Sequence, residues 1–112
     1  MKLAITASGD TLESTIDPRF GRAKYVIQYD TDSGSVISVF ENTYANAEHG
    51  AGTGLVGWLT NQQVDGVIAS QYGPKALDIL KEAGTALWVA PSDLSIEQAI
   101  EKHKSNQLKK AV

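Results

Sequence analysis

Apolar positions along the chain fall into short runs separated by polar and glycine-rich stretches, and each run predicts an element. Lys2 to Ala7 holds Leu3, Ala4 and Ile5 and is closed by Ser8-Gly9-Asp10, the signature of a short buried strand. A polar loop follows to about Lys24. Tyr25 to Asp30 and Ser35 to Glu41 read as two further strands, joined at Thr31-Asp32-Ser33-Gly34, where Gly34 is free to take a positive φ. In the third strand, alternation puts Ile37 and Val39 on one face and Val36, Ser38 and Phe40 on the other.

A loop from Asn42 to about Gly50 precedes Leu55, Val56, Trp58, Leu59 and Gln62, whose spacing predicts an amphipathic helix ending near Gln63. Gly66 to Ser70 is a continuous apolar run, as in a strand covered on both faces. Gly73-Pro74 opens a second helix with an inner stripe of Ala76, Leu77, Leu80 and Ala83, and Gly84 stops it. Ala86 to Val89 is the fifth strand. Ser95 and Gln98 form a capping box for a last helix that buries Ile96, Ala99 and Ile100 and frays around Lys104. The order βββαβαβα predicts one three-layer α/β domain over 1–112, with a mixed five-stranded sheet and a frayed tail at 105–112.

Composition narrows the partners. A formal charge of −3 gives no overall field favouring nucleic acid, so any anion site must be local; Lys102, Lys104, Lys109 and Lys110 read as a solvated tail. Cysteine is absent, which removes disulfides, thiolate nucleophiles and Cys-ligated metal centres. The start MKLAITASGD is too short an apolar run for a signal peptide, and no run approaches the length of a membrane span. A cytoplasmic protein without membrane or nucleic-acid partners is the expectation.

Ligands of open α/β sheets bind beyond the carboxyl ends of the parallel strands. Three segments should meet at that edge: the loop Ser8 to Lys24, the turn Ser70-Gln71-Tyr72-Gly73 with the second helix start, and the first helix start at His49 to Gly54. Within the last, Gly52-Thr53-Gly54-Leu55-Val56-Gly57 has the spacing of a dinucleotide fingerprint but follows a hairpin strand and a loop of about ten residues. No acidic residue closes a second strand at the required distance, so no nucleotide is predicted. The glycines suit either a tight loop or close approach of the backbone to an anion. Asp17-Pro18-Arg19-Phe20-Gly21-Arg22 offers two guanidinium groups to an anion, or an Asp17–Arg22 salt bridge over a buried Phe20. His49 is either a metal ligand or anion donor, or an exposed loop side chain. Tyr44 and Asn46 are supporting or plain surface groups, Trp58 and Trp88 pack in the core, and His103 sits on the outer turns of the last helix.

The start MKLAIT, the loop Pro18-Arg19-Phe20-Gly21-Arg22-Ala23, the segment His49-Gly50-Ala51-Gly52-Thr53-Gly54, the run Val64 to Ala69 through Gly73-Pro74, and Ala83-Gly84 occur in order. Together they resemble the dinitrogenase iron–molybdenum cofactor biosynthesis family, whose NifX-like accessory domain is also found at the carboxyl end of the NifB cofactor-assembly enzyme. The resemblance implies a ribonuclease H-like fold. It also implies a noncatalytic protein that binds an anionic iron–sulfur cluster or iron–molybdenum cofactor precursor and passes it between metallocofactor assembly proteins. On that analogy His49 is the candidate metal ligand, Arg19, Arg22 and the amides of Gly52, Thr53 and Gly54 are anion donors, and Phe20 shields the site. Gly73, on the turn opening the second helix, completes the binding set. This chain carries Arg19 where many members carry histidine.

Two other classes compete. A nuclease, suggested by fold analogy alone, needs several carboxylates converging on one edge, and the first strand has none; Asp10 and Asp17 lie beyond its end and Asp65 falls at the opposite edge. A protein-interaction or regulatory module of the same fold, with no bound cofactor, is the alternative to the carrier.

Overall fold

The computed structural model describes residues 1–111. Strands β1 (Lys2–Ala7), β2 (Tyr25–Asp30) and β3 (Ser35–Glu41) are followed by α1 (Ala51–Asn61), β4 (Gly66–Ala69), α2 (Pro74–Glu82), β5 (Ala86–Val89), α3 (Ile96–Lys104) and β6 (Lys109–Lys110). They build one mixed sheet in the order β3-β2-β1-β4-β5-β6. β1, β4 and β5 are parallel; β2 pairs antiparallel with β1 and β3 antiparallel with β2 on one side, and β6 pairs antiparallel with β5 on the other. Among the described residues no helix is long and apolar enough to cross a membrane.

Alternation along the central strands divides the core in two. Leu3, Ile5, Ile27 and Ile68 face α3 through Ile96 and Ile100, whereas Ala4, Val26 and Val67 face α1 and α2 through Leu55, Leu59 and Leu80. β1 and β4 are therefore covered on both sides, as their continuous apolar runs require.

Two expectations are corrected. The sheet has six strands, not five, and residues 105–111 are not frayed: after Asn106, at φ 57°, the chain turns back and pairs with β5, and the Ala111 N–H donates to Leu87 O at 2.9 Å. Val112 lies outside the described residues. Leu108 packs onto one half of the core and Ala111 onto the other, so the hold on this segment comes from distant residues. In β3 the register shifts so that Val36 pairs with Tyr29 and Ser38 with Gln28. Ile37 is the extra residue of a bulge, and Val36 joins Val39 on one face instead of Phe40.

The long loop after β1 is folded, not loose. Asp17 N donates to Thr6 O at 3.1 Å and Ile16 N to Leu94 O at 3.0 Å, which draws the loop across the end of β1 to the start of α3. Ile16 is fully buried and Asp17 only 1% exposed. One Asp17 carboxylate oxygen accepts from Arg19 N (3.0 Å) and Nε (3.1 Å), the other from Arg19 Nη2 (3.2 Å) and Lys24 N (3.1 Å). From the other side, the buried Asn42 amide donates to Gly21 O at 2.9 Å and Ala23 O at 2.8 Å. Gly21 then lies directly on the first turn of α1: a Cβ there would stand 2.5 Å from Gly52 N.

Burial pushes the Asp17 carboxyl up, but the hydrogen bonds from Arg19 and Lys24 outweigh it and leave it below the usual carboxylate range. Its contribution to stability is therefore complete above the ordinary pKa and disappears as pH falls through the lowered folded value. Asp17→Asn is expected to cost about 1–3 kcal/mol at neutral pH in urea unfolding, and its gap from wild type is expected to close below about pH 4. A gap that persists unchanged into stronger acid counts against this account. Gly21→Ala is expected to cost about 1–3 kcal/mol by forcing the loop off α1. Gly57→Ala, on the same helix with no atom within 4 Å of the new Cβ, is expected to be stabilising by ~0.5–1 kcal/mol.

Candidate functional site

The topology carries the loop after β1, the turn after β4 and the start of α1 to one edge of the sheet, where they enclose a cleft of about 870 Å³. Its walls are Arg19 to Arg22 from the loop, Gly50 to Thr53 from α1, and Gln71 to Ala76 from the β4–α2 turn. Gln71 ties two of these walls together by donating from Nε2 to Pro18 O at 2.9 Å. Phe20, 5% exposed, lies 5.4 Å centroid to centroid from Tyr72, and the pair makes an aromatic wall. Tyr72 Oη reaches Trp88 O at 2.8 Å and Val67 O at 3.1 Å. Burial pushes the Tyr72 phenol well above its usual range, so it stays a protonated donor that braces the wall.

The electrostatics of the cleft have one sign. Arg19, Arg22 and Lys75 line it and no carboxylate does, on a chain whose net charge is −3. The three cations are not equivalent. Arg19 spends two guanidinium nitrogens on Asp17, which raises its own pKa through that hydrogen bond and largely cancels its charge. Arg22 spends one, from Nη1 to the neutral Ala45 carbonyl at 2.9 Å, and keeps its full charge. Lys75 is exposed and forms no salt bridge among the described residues.

Both helices that open on the cleft start without a side-chain cap. α1 begins after Gly50, held at φ 73°, and α2 begins after Gly73 with Pro74 first; neither has an acidic residue in its first turn. The first helical bonds are Gly54 N to Gly50 O and Leu77 N to Gly73 O. The amides of Ala51, Gly52 and Thr53 in α1, and of Lys75 and Ala76 in α2, thus precede any helical partner. The start of α3, on the other face of the sheet, is the reverse. Ser95 and Gln98 form a complete capping box, Glu97 lies in the first turn, and Ile96 N and Glu97 N donate to Ser14 O and Leu12 O.

Of the residues nominated from sequence, Arg19, Phe20, Arg22, Gly52, Thr53 and Gly73 meet in this cleft. His49 is exposed and stands next to the wall residue Gly50, outside the lining itself. Gly54 faces away, against Tyr44, whose ring carbon Cδ1 would lie 2.5 Å from a Cβ on it. Gly52 and Gly54 belong to the helix, and only Gly50 takes positive φ. The Asp17–Arg22 pairing does not form, because Arg19 is close enough in the chain to chelate the carboxylate. Gln71, Tyr72 and Lys75 were not singled out as site residues. Lys75 carried a signal: a cation in the first turn of a helix opposes the macrodipole and calls for a reason.

No group of three or more His, Cys, Asp or Glu side chains among the described residues is placed to hold a metal ion. The donor set is amides, guanidinium groups and an ammonium, which suits a preformed anion and not a bare cation.

The family described as dinitrogenase iron-molybdenum cofactor matches residues 1–106. An uncharacterized protein of Methanocaldococcus jannaschii is 29% identical over 112 residues, covering 98% of this chain and 91% of the other. The apo form of the orange protein from Desulfovibrio gigas superposes with a TM-score of 0.92 at 28% identity, over 99% of this chain and 92% of that one. A putative NifB protein from Thermotoga gives 0.83 at 38% identity, over 97% and 91%. The present chain belongs to the dinitrogenase iron-molybdenum cofactor family.

Proposed function

We propose that the cleft binds an anionic iron–sulfur type cluster, or an iron–molybdenum cofactor precursor, and that the protein carries it between assembly proteins without reacting it. The observation that supports this best is the convergence of two uncapped helix starts and the uncompensated charges of Arg22 and Lys75 on one carboxylate-free cleft. Each helix start favours negative charge, and two facing one space favour a multiply charged ligand. The size of the cleft suits an assembled cofactor better than a simple ion. Family membership and the likeness to a putative NifB protein point the same way.

Each residue then has a distinct part. Arg22, Lys75 and the amides of Ala51, Gly52 and Thr53 bind the anion; Arg19 chiefly holds the loop through Asp17; Phe20 and Tyr72 exclude water from one side. His49, beside Gly50, supplies one protein ligand to a metal at the cluster's exposed end. A noncatalytic role agrees with the chemistry of the walls, where the Asp17 carboxylate behind Arg19 is saturated with hydrogen bonds and the Tyr72 phenol is locked as a donor. The strand order, with β2 antiparallel beside three parallel strands, also supports a ribonuclease H-like classification and a single domain.

The test is anaerobic titration of the purified apo-protein with an anionic iron–sulfur cofactor, followed by its absorption after gel filtration. Arg22→Ala and Lys75→Ala are each expected to weaken binding about tenfold, close to 1.4 kcal/mol, and binding is expected to weaken with added salt. His49→Ala is expected to alter the absorption bands of the bound cluster. Wild-type affinity in the Arg22→Ala, Lys75→Ala double variant would remove the cleft as the site.

A further inference from the structure

The sixth strand is held by a contact that uses a histidine in an unusual setting. His103, in the last turn of α3, meets the Trp88 ring of β5 edge-on, with centroids 4.5 Å apart and planes at 85°. Lys110 of β6 places its ammonium 5.6 Å from the centre of the same ring. Trp88 can lie flat over β4 because Gly66 has no side chain; a Cβ there would stand 2.5 Å from the tryptophan Cζ3. One indole thus joins α3, β5 and β6.

His103 Nδ1 is buried and has no hydrogen-bond partner. A neutral imidazole tolerates this, since one ring nitrogen is only an acceptor. Protonation turns Nδ1 into a charged, buried donor with nothing to donate to. Of the charges around it, the Met1 ammonium adds to the cost. α3 itself supplies Lys102 and Lys104, the latter 3.8 Å from Glu101; β6 supplies Lys110; the chain start supplies the Met1 ammonium, shared with Asp32 at 3.1 Å and Asp30 at 3.9 Å.

We propose that this contact is an acid-sensitive clasp: protonation of His103 separates the last turn of α3 from Trp88 and Lys110, releases β6, and bares the outer edge of β5. Burial, and after it the Met1 ammonium, hold the His103 imidazole below the ordinary histidine value of 6.5, so the clasp is closed at neutral pH and opens as pH falls through the lowered value. The freed edge carries unpaired backbone groups that an extended segment can join. The device lies on the α3 side of the sheet and stands independently of the ligand proposed for the cleft.

Amide exchange followed by NMR on the full chain tests it, with Ala111 N–H reporting on β6 and Ile68 N–H in β4 reporting on global unfolding. Between about pH 7.5 and pH 5, corrected for intrinsic rates, Ala111 is expected to lose protection by up to about tenfold per pH unit between the ordinary histidine value of 6.5 and the lowered one and to level off below it, while Ile68, whose exchange through global unfolding frees the same imidazole, falls by the same factor from a higher level of protection. His103→Gln is expected to abolish that loss. Trp88→Leu, which uncovers the imidazole, is expected to move the titration of the His103 ring protons to higher pH, and this carries the test should His103→Gln fail to fold. Unchanged Ala111 protection, Ala111 protection equal to that of Ile68 throughout, the same loss in His103→Gln, or an unmoved titration in Trp88→Leu would each overturn the clasp.

Discussion

The cleft depends on one buried carboxylate. Asp17 sits at the end of β1, nearly sealed from solvent, and four N–H groups converge on its two oxygens. A carboxylate taken out of water this far is tolerable only when its lone pairs are filled, and a single arginine together with two backbone amides fills them. The result is a rigid hook in the chain from Asp17 to Lys24. That hook turns Phe20 inward, presses Gly21 onto α1 and leaves Arg22 at the mouth of the cleft.

Placing that hook would achieve little if the helix starts beneath it were already satisfied. The three helices divide sharply in this respect. α3 closes its own amino terminus with Ser95, Gln98 and the carbonyls of the β1 loop, so its side of the sheet edge has no spare donors. α1 and α2 begin at glycines, carry no acid in their first turns, and aim their free amides into a common space. Glycine at these positions gives up about a few tenths of a kcal/mol relative to a side-chain cap, and the exposed Lys75 adds an unfavourable term. Local stability is forgone where an anion can restore it.

The scaffold that tolerates these losses is the pair of central strands. β1 and β4 are covered on both faces, and the loops that build the cleft leave from their ends. β3 is an edge strand with Val36, Ile37 and Val39 exposed, blunted by a bulge, and β6 is a two-residue strand held by its ladder to β5 and by Lys110 over the Trp88 ring.

What could be read in the chain alone followed from local periodicity. The strand Tyr25 to Asp30, the run Gly66 to Ser70, the Gly73-Pro74 helix start and the Ser95–Gln98 box are each encoded within a few residues, and all appear in the fold. So did the meeting of three segments at one edge, because the handedness of parallel connections leaves little choice. Decisions made between distant residues were not legible. Nothing near Lys109 reveals that β5 has an open edge to receive it. Nothing near Ile37 reveals the register that makes it a bulge. The choice of Arg19 over Arg22 by Asp17, the turning of Gly54 toward Tyr44, and the arrival of Lys75 in the cleft depend on distances in space. Hydrophobic patterning has a period and survives as a one-dimensional signal; a hydrogen bond or a charge in a cleft has only a geometry, and that exists once the chain has folded.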